Sequence, residues 1–297
     1  MQTKQERRFR VIGAGLMLIF CLLALFPLIL LFTASFSSEA SIVRNGYTLI
    51  PGEWSVDAYK YFLTAGNQIL HAYGVTILVT AIGTTLGLSF TIMLAYTLSR
   101  QDLPGRSALN FFVIFAMIFN GGLVPTYLMW TELFHIKNTR WAQILPTLLV
   151  NGFYVFVVRT YIVRNIPGEL LEAGRIDGAP EFRIFFSVVA PLCKPIMVTV
   201  GMFIGIEYWN NWTNGLYYIN DSKYYTIQNI LTTMMNNLQF LSQNANLAAR
   251  FSGAAARAPS TTVRMGIAVV GLLPILVIYP FVQRYFTKGI ALGAVKG

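Results

Sequence analysis

The chain has 297 residues, 55% of them hydrophobic and only 11% charged, with a mean hydropathy of +0.58. A soluble globular domain carries about 25% charged residues, so that class is excluded and a membrane class is implied. The net charge of +10 does not point to nucleic acid, because no basic stripe with interleaved aromatics is present.

Residues 1–10 form a basic tail with Lys4, Arg7, Arg8 and Arg10. Val11–Phe32 follows without a charge, and about 20 apolar residues suffice to cross a bilayer. Its run exceeds the roughly 7–15 residues of a secretory signal and has no obvious cleavage site, so a retained helix is expected. Residues 33–71 make a long mixed segment with a turn signal at Pro51-Gly52. Further spans are expected at Ala72–Ser99, Ala108–Trp130, Trp141–Val158, Ile196–Ile219 and Met265–Phe281. Helices are the default for all of them, because backbone amides in lipid must bond within their own segment. The fold class is thus an all-α membrane protein of six transmembrane helices, with residues 72–286 as a core of five.

With these spans, Arg44, Lys60, Lys137, Arg140, Lys223, Arg250, Arg257 and Arg264 share one side, and the other fourteen of the 22 basic residues share the N-terminal side. The positive-inside rule then puts both termini in the cytoplasm. Asn120-Gly121-Gly122 and Pro125 in the third span, with Pro274 and Pro280 in the sixth, predict bent helices. The outer segment 220–264 is the longest, and Thr226–Gln243 within it reads as a weakly amphipathic helix. No internal repeat is visible. Cys21 and Cys193 fall on different levels and give no disulfide or metal framework.

The connector 159–195 is polar, long for a link between neighbouring spans, and reads as two helices around a glycine turn. Pro167 suits a first helical turn, Glu169 and Glu172 complement the dipole there, and Gly178 suits a left-handed cap. Pro180 can open a second helix that places Phe182, Phe185, Phe186 and Val189 on one face. Such a protrusion exposes apolar and acidic surface together and predicts a protein partner.

Glu172-Ala173-Gly174, three residues, Gly178, nine residues, Val188, one residue and then Ala190-Pro191 resembles the "EAA" loop of ABC importer membrane subunits. Gly174, Val188 and Ala190 stand for the usual alanine, isoleucine and leucine. Asp177-Gly178-Ala179, Pro191-Leu192 and Pro195 resemble the carbohydrate branch, in particular the maltose-type (MalG-like) second permease subunits. Trp209-Asn210, Gln283-Arg284-Tyr285-Phe286, Lys288-Gly289 and Gly293-Ala294-Val295-Lys296-Gly297 extend the likeness over nearly the whole chain.

The resemblance implies a type I ABC importer permease fold whose connector, as a coupling helix, seats in a groove on an ATP-binding subunit. Glu172 would anchor that contact, Gly178 would make the turn, and Ala173 and Gly174 would permit close approach. Glu169, Leu170, Asp177, Ala179, Phe182 and Pro191 complete the implied coupling element. Lys288, Gly289, Lys296 and Gly297 would reach the ATP-binding pair from the tail, residues 287–297. The implied partners are a second homologous permease subunit, two ATP-binding subunits and an extracytoplasmic solute-binding protein. The implied cargo is a carbohydrate, with an oligosaccharide plausible, crossing the bacterial cytoplasmic (inner) membrane.

Within the expected spans Glu207 is the one acidic residue, and an ionisable group at membrane depth faces a cavity or a partner by default. Tyr208, Trp209, Asn210, Asn211 and Trp212 surround it, a mixture that packs on sugar C–H faces and bonds hydroxyls. The same mixture also marks interfacial belts. Asn120, Thr126, Tyr127, Asn151 and Tyr154 are further candidates for a solute path. The chain has no G-x-x-x-x-G-K-[ST] phosphate loop, and only His71 and His135 are available for any catalytic constellation. It is read as non-catalytic and free of bound cofactor, with ATP and Mg held by partner subunits. The alternative is a self-contained secondary transporter or channel for a small polar solute, for which Glu207 alone is poor material.

Overall fold

The computed structural model describes residues 4–64, 66–243 and 260–294. Among them no strand forms, and an isolated bridge joins Ser37 to Trp54. The helices in chain order are α1 (Lys4–Ser35), α2 (Glu39–Asn45), α3 (Asp57–Thr64), α4 (Gly66–Ser99), α5 (Arg106–Ile118), α6 (Leu123–Leu133) and α7 (Trp141–Ile144). Then come α8 (Gly152–Asn165), α9 (Gly168–Ile176), α10 (Glu181–Leu192), α11 (Lys194–Asn210), α12 (Thr213–Tyr218), α13 (Ile227–Gln243) and α14 (Ser260–Ala294).

The expected first, second and sixth spans fall inside α1, α4 and α14, and the amphipathic outer helix is α13. The other three are not continuous helices. The third is α5 and α6, bent by 114° at residues 119–122, where Gly122 takes φ +91° and its amide donates to Asn120 Oδ1 at 2.9 Å. The fourth is displaced along the chain: α7 stops before Pro146, whose ring disfavours helix in the residue ahead of it, and α8 begins only at Gly152. Asn151 caps that start, its Oδ1 accepting from the Phe153 amide at 2.9 Å. The fifth ends at Asn210, and Asn211 Oδ1 accepts from the Asn214 amide at 3.1 Å to start α12. Among the described residues, two helices are long and apolar enough to cross a membrane, or up to four if each bent pair is one span. Arg250, Arg257, Lys296 and Gly297 lie outside the described residues. Helix α14 continues through Lys288 and Gly289 to Ala294.

Contacts divide the chain into two units, Met1–Ile69 with Leu231–Ile275 and Leu70–Ile230 with Leu276–Gly297. In the first, Val11, Leu18 and Leu22 of α1 are exposed, a surface suited to lipid. Beside it, Ser35 and Tyr59 share a hydrogen bond of 2.8 Å, and Phe36 stacks on Tyr59. Glu39 caps α14, its carboxylate accepting from the Thr261 and Thr262 amides at 3.0 and 2.9 Å. Burial raises the Glu39 carboxyl, but the hydrogen bonds from Thr262 and Thr261 outweigh it and hold it below the usual range.

In the second unit the core gathers Val79, Ala95 and Leu98 of α4, Val155 and Val158 of α8, Val189 of α10, and Val200, Ile204 and Tyr208 of α11. Lipid is as apolar as these side chains, so close packing and internal hydrogen bonds hold helices together in a bilayer. Gly83 meets that need: a Cβ there would come within 2.5 Å of the Tyr208 ring. The Tyr208 hydroxyl then donates to the Ile144 carbonyl at 2.9 Å, pinning α4, α7 and α11 at one point. Nearby, the buried Asn229 amide donates to Trp212 O at 2.7 Å, and its oxygen accepts from Thr226 Oγ1 at 2.7 Å and Gln143 Nε2 at 3.3 Å. Asn214 Nδ2 adds bonds to Gln143 O and Pro146 O. The carbonyls of Gln143, Ile144, Pro146 and Trp212, at the breaks in the fourth and fifth spans, are thereby satisfied.

Candidate functional site

The connector folds as its local signals dictate. Pro167 precedes α9, Glu169 stands in its first turn, and Arg175 in its last. Gly178 takes φ +71°, which a side chain resists. The Ala179 amide donates back to Gly174 O and the Gly178 amide to Arg175 O, both at 3.0 Å; the longer of these loops closes a left-handed helix end. Pro180 then opens α10, accepting at its carbonyl from the Arg183 and Ile184 amides. A Cβ on Gly174 would meet Ile184 at 3.2 Å, so the two helices fold back in tight contact there.

The aromatic face of α10 differs from expectation. Phe185 and Val189 are buried, as is Ile184, whereas Phe182 and Phe186 are exposed at 68% and 62%. Helical spacing puts all four within one broad stripe, but the core occupies only the side shared with Ile184, and Phe182 and Phe186 form its outer flank. Residues 185–189 are also a π-helical stretch, which widens the turn between the two sets. In α9, Leu170 and Ile176 are exposed, Ile176 at 85%, with Glu172 and Ala173 also open to solvent. Helices α10 and α11 meet at 82°, at the corner flanked by Pro191 and Pro195.

A group not singled out in the sequence holds the connector to the end of α4. Glu181 accepts from Tyr96 Oη at 2.6 Å and Arg175 Nε at 2.9 Å, and pairs with Arg100 Nη1 at 3.1 Å. Arg100 also forks onto Asp102 through Nε and Nη2, and Arg175 Nη2 lies 3.7 Å from the same carboxylate. The hydrogen bond from Arg100 leads in drawing Asp102 down to about 2. Burial raises Glu181, but the hydrogen bonds from Tyr96 and Arg175 and the charges of Arg100 and Arg175 bring it below the usual carboxylate range. Arg106 and Arg159 both donate to Leu98 O at 3.0 Å, placing further positive charge at the α4 C-terminus, where the helix dipole favours it. The available signal was opposite charges at a span end and on the connector. A cleft of about 290 Å³ opens beside the group, lined by Arg100, Asp102, Gly168, Leu171, Glu172 and Arg175.

The solute-path candidates scatter over several roles. Tyr154 Oη donates to Glu207 Oε1 at 2.6 Å and its ring stacks on Phe203, so these two candidates stand together, both half-buried. Tyr208 and Trp209 are buried in protein, the latter beside Tyr73, while Asn210 and Trp212 are exposed. Asn120, Asn151 and Asn211 accept from backbone amides. Thr126 donates to Gly122 O. Tyr127 accepts from Lys137 and stacks on Tyr218. Among the described residues no group of His, Cys, Asp or Glu could hold a metal ion.

A helical chain of this kind, with apolar helices and a helix pair turned at Gly178, has known counterparts. Residues 87–292 match the family of binding-protein-dependent transport system inner membrane components. The chain belongs to this family. The permease is 35% identical over 99% of its length to the full length of the polygalacturonan/rhamnogalacturonan transport system permease protein YtcP of Bacillus subtilis (strain 168). It is 30% identical, over 93% of its length and 92% of the relative's, to the arabinooligosaccharides transport system permease protein AraQ of Halalkalibacterium halodurans. A crystal structure of a bacterial ABC transporter involved in the import of the acidic polysaccharide alginate matches with a TM-score of 0.78 and 29% identity, covering 96% of this permease and 99% of that chain. The family is one of transport subunits rather than enzymes.

Proposed function

We propose that the permease is a membrane subunit of an ATP-driven importer of oligosaccharide, coupled to its motor through α9 and α10. The observation that carries this reading is exposure on both helices of the pair: Glu172 and Ile176 of α9 and Phe182 and Phe186 of α10 are all open to solvent. Two ATP-binding subunits, which hold ATP and Mg, would cover such pairs, one on this chain and one on a second homologous permease. An extracytoplasmic solute-binding protein would deliver the cargo. The relatives' polygalacturonan, rhamnogalacturonan and arabinooligosaccharide cargoes support a carbohydrate made of several sugar units. In this reading the connector is cytoplasmic, as the positive-inside rule gives it.

Pull-down of the native complex tests the assembly. An ATP-binding subunit and a second permease are expected to co-purify. Uptake that follows an ion gradient and ignores ATP would overturn the reading in favour of a secondary transporter.

Within the bundle, the Tyr154–Glu207 pair supplies an aromatic face and a hydroxyl-binding carboxylate to the solute path. Glu207→Gln keeps shape and removes charge, so uptake is expected to fall roughly tenfold, the scale of one charged hydrogen bond, with the complex still assembled. Unchanged transport in that variant would take Glu207 out of the path.

A further inference from the structure

We infer that Tyr96, Arg100, Asp102, Arg175 and Glu181 form a tether that makes the coupling pair and the end of α4 move as one piece. The inference rests on the coupling role proposed for α9 and α10, and names the route by which their displacement enters the bundle. Three segments far apart in sequence meet in it: the last turn of α4 with the turn after it, the last turn of α9, and the first turn of α10.

Glu181 is the hub. One of its oxygens accepts from Tyr96 Oη at 2.6 Å, and the other takes Arg175 Nε at 2.9 Å and Arg100 Nη1 at 3.1 Å. Asp102 closes the ring by holding both guanidiniums, through the fork from Arg100 and a longer contact of 3.7 Å to Arg175 Nη2. Two positive and two negative groups balance, so no member is left with uncompensated charge. The arginine side chains are 20% and 33% exposed. A single ion pair so open to water contributes little stability, but a network with forked geometry fixes orientation.

The packing around the ring fits a tether rather than a chance cluster. Tyr96 is buried, and its ring lies against Phe185 of α10 at 5.5 Å between centroids. Phe185 and Val189 belong to the same core as Ala95 and Leu98 of α4. On the other side of Gly178, Gly174 presses α9 onto Ile184 of α10. A push on the exposed Glu172 face is therefore passed across two tight contacts and the charged ring into α4, a helix of 34 residues. Without the ring, α9 would be joined to the bundle through Leu171, which packs against the core, the Gly174–Ile184 contact, the Gly178 turn and its chain connections.

The positioning residues are Arg175 and Glu181, and they act through α4. Two measurements on the full complex in lipid nanodiscs or proteoliposomes test them: amide hydrogen exchange over residues 168–189, and solute carried per ATP hydrolysed. Glu181→Gln and Arg175→Met are each expected to speed exchange in α9 and to lower transport per ATP roughly tenfold, within the range seen when coupling networks are cut. The conservative variant Arg175→Lys, which keeps a positive charge between Glu181 and Asp102, is expected to retain a substantial part of both, which loss of the side chain's packing alone would not allow. Exchange unchanged in both Glu181→Gln and Arg175→Met would overturn the tether. Faster exchange with undiminished transport per ATP would overturn its role as the route. The exchange measurement needs no assumption about the motor, so a failure of the coupling role itself would be seen separately, as a permease that never recruits an ATP-binding subunit.

Discussion

A Glu172→Lys permease is expected to insert and fold normally yet to carry almost no solute. The Glu172 carboxylate is exposed and makes no hydrogen bond or ion pair among the described residues, so reversing it leaves the chain's own contacts intact. At a docked surface the same change sets a positive charge where a negative one was matched. Losing one partner of a desolvated charge pair costs about 2–5 kcal/mol, which corresponds to a loss of roughly 30-fold or more in binding or in coupled turnover. The check is ATP-dependent uptake beside membrane yield: normal yield with lost uptake fits, and normal uptake removes the docking role. Gly178→Asp adds a second, backbone-based arm. Gly178 sits at φ +71° with open space around it, so the cost is left-handed strain of about 1–2 kcal/mol, with a new carboxylate at the unfavourable end of α9. Gly178→Asn tolerates that backbone and carries no charge, and is expected to stay close to the parent.

The largest effect on stability is expected from Gly215→Ala. Gly215 is buried in α12, and a Cβ there would overlap the Asn229 amide. Asn229 cannot swing aside without releasing Trp212 O, Thr226 Oγ1 and Gln143 Nε2. Overpacking costs about 1–3 kcal/mol, and each buried polar group left unsatisfied adds about 1–3 kcal/mol. A total near 4 kcal/mol would lower the melting temperature of the purified permease by roughly 8–16 °C. Thermal unfolding in detergent reads this directly. Asn229→Ala in the same chain should return part of the loss by vacating the space, and a Gly215→Ala protein that melts with its parent would disprove the close approach.

Much of the connector could be read in advance, because its signals are local: Pro167, Gly178 and Pro180 each act through their own dihedral angles. The long helices α1 and α4 were legible for a similar reason, since a charge-free or nearly charge-free apolar run has few other ways to satisfy its amides in lipid. The broken spans were less so. Averaged hydropathy hid Pro146 and Asn211, which interrupt runs that are apolar on either side. The four phenylalanine and valine positions of α10 shared a stripe, but which edge of it meets the core depends on Leu98 and Ala95 in a distant helix. The charges of the ring can be seen at a span end and on the connector, but their pairing cannot: Tyr96 and Glu181 are 85 residues apart, and nothing local tells that Arg100 and Arg175 share the same carboxylates. In the cluster around Glu207, composition suggested a common role for residues that the fold separates into buried packing, exposed surface and the pair with Tyr154.

Three asparagines repair the interruptions in this permease. Asn120, Asn151 and Asn211 each stand at a break and lend a side-chain oxygen to an amide that the helix can no longer serve. In hydrocarbon those amides have no water to turn to, so the polypeptide brings its own substitute for solvent to each gap. Each interruption in this protein thus brings an acceptor of its own for one freed amide, and a kink alone does not imply that a wet passage runs beside it.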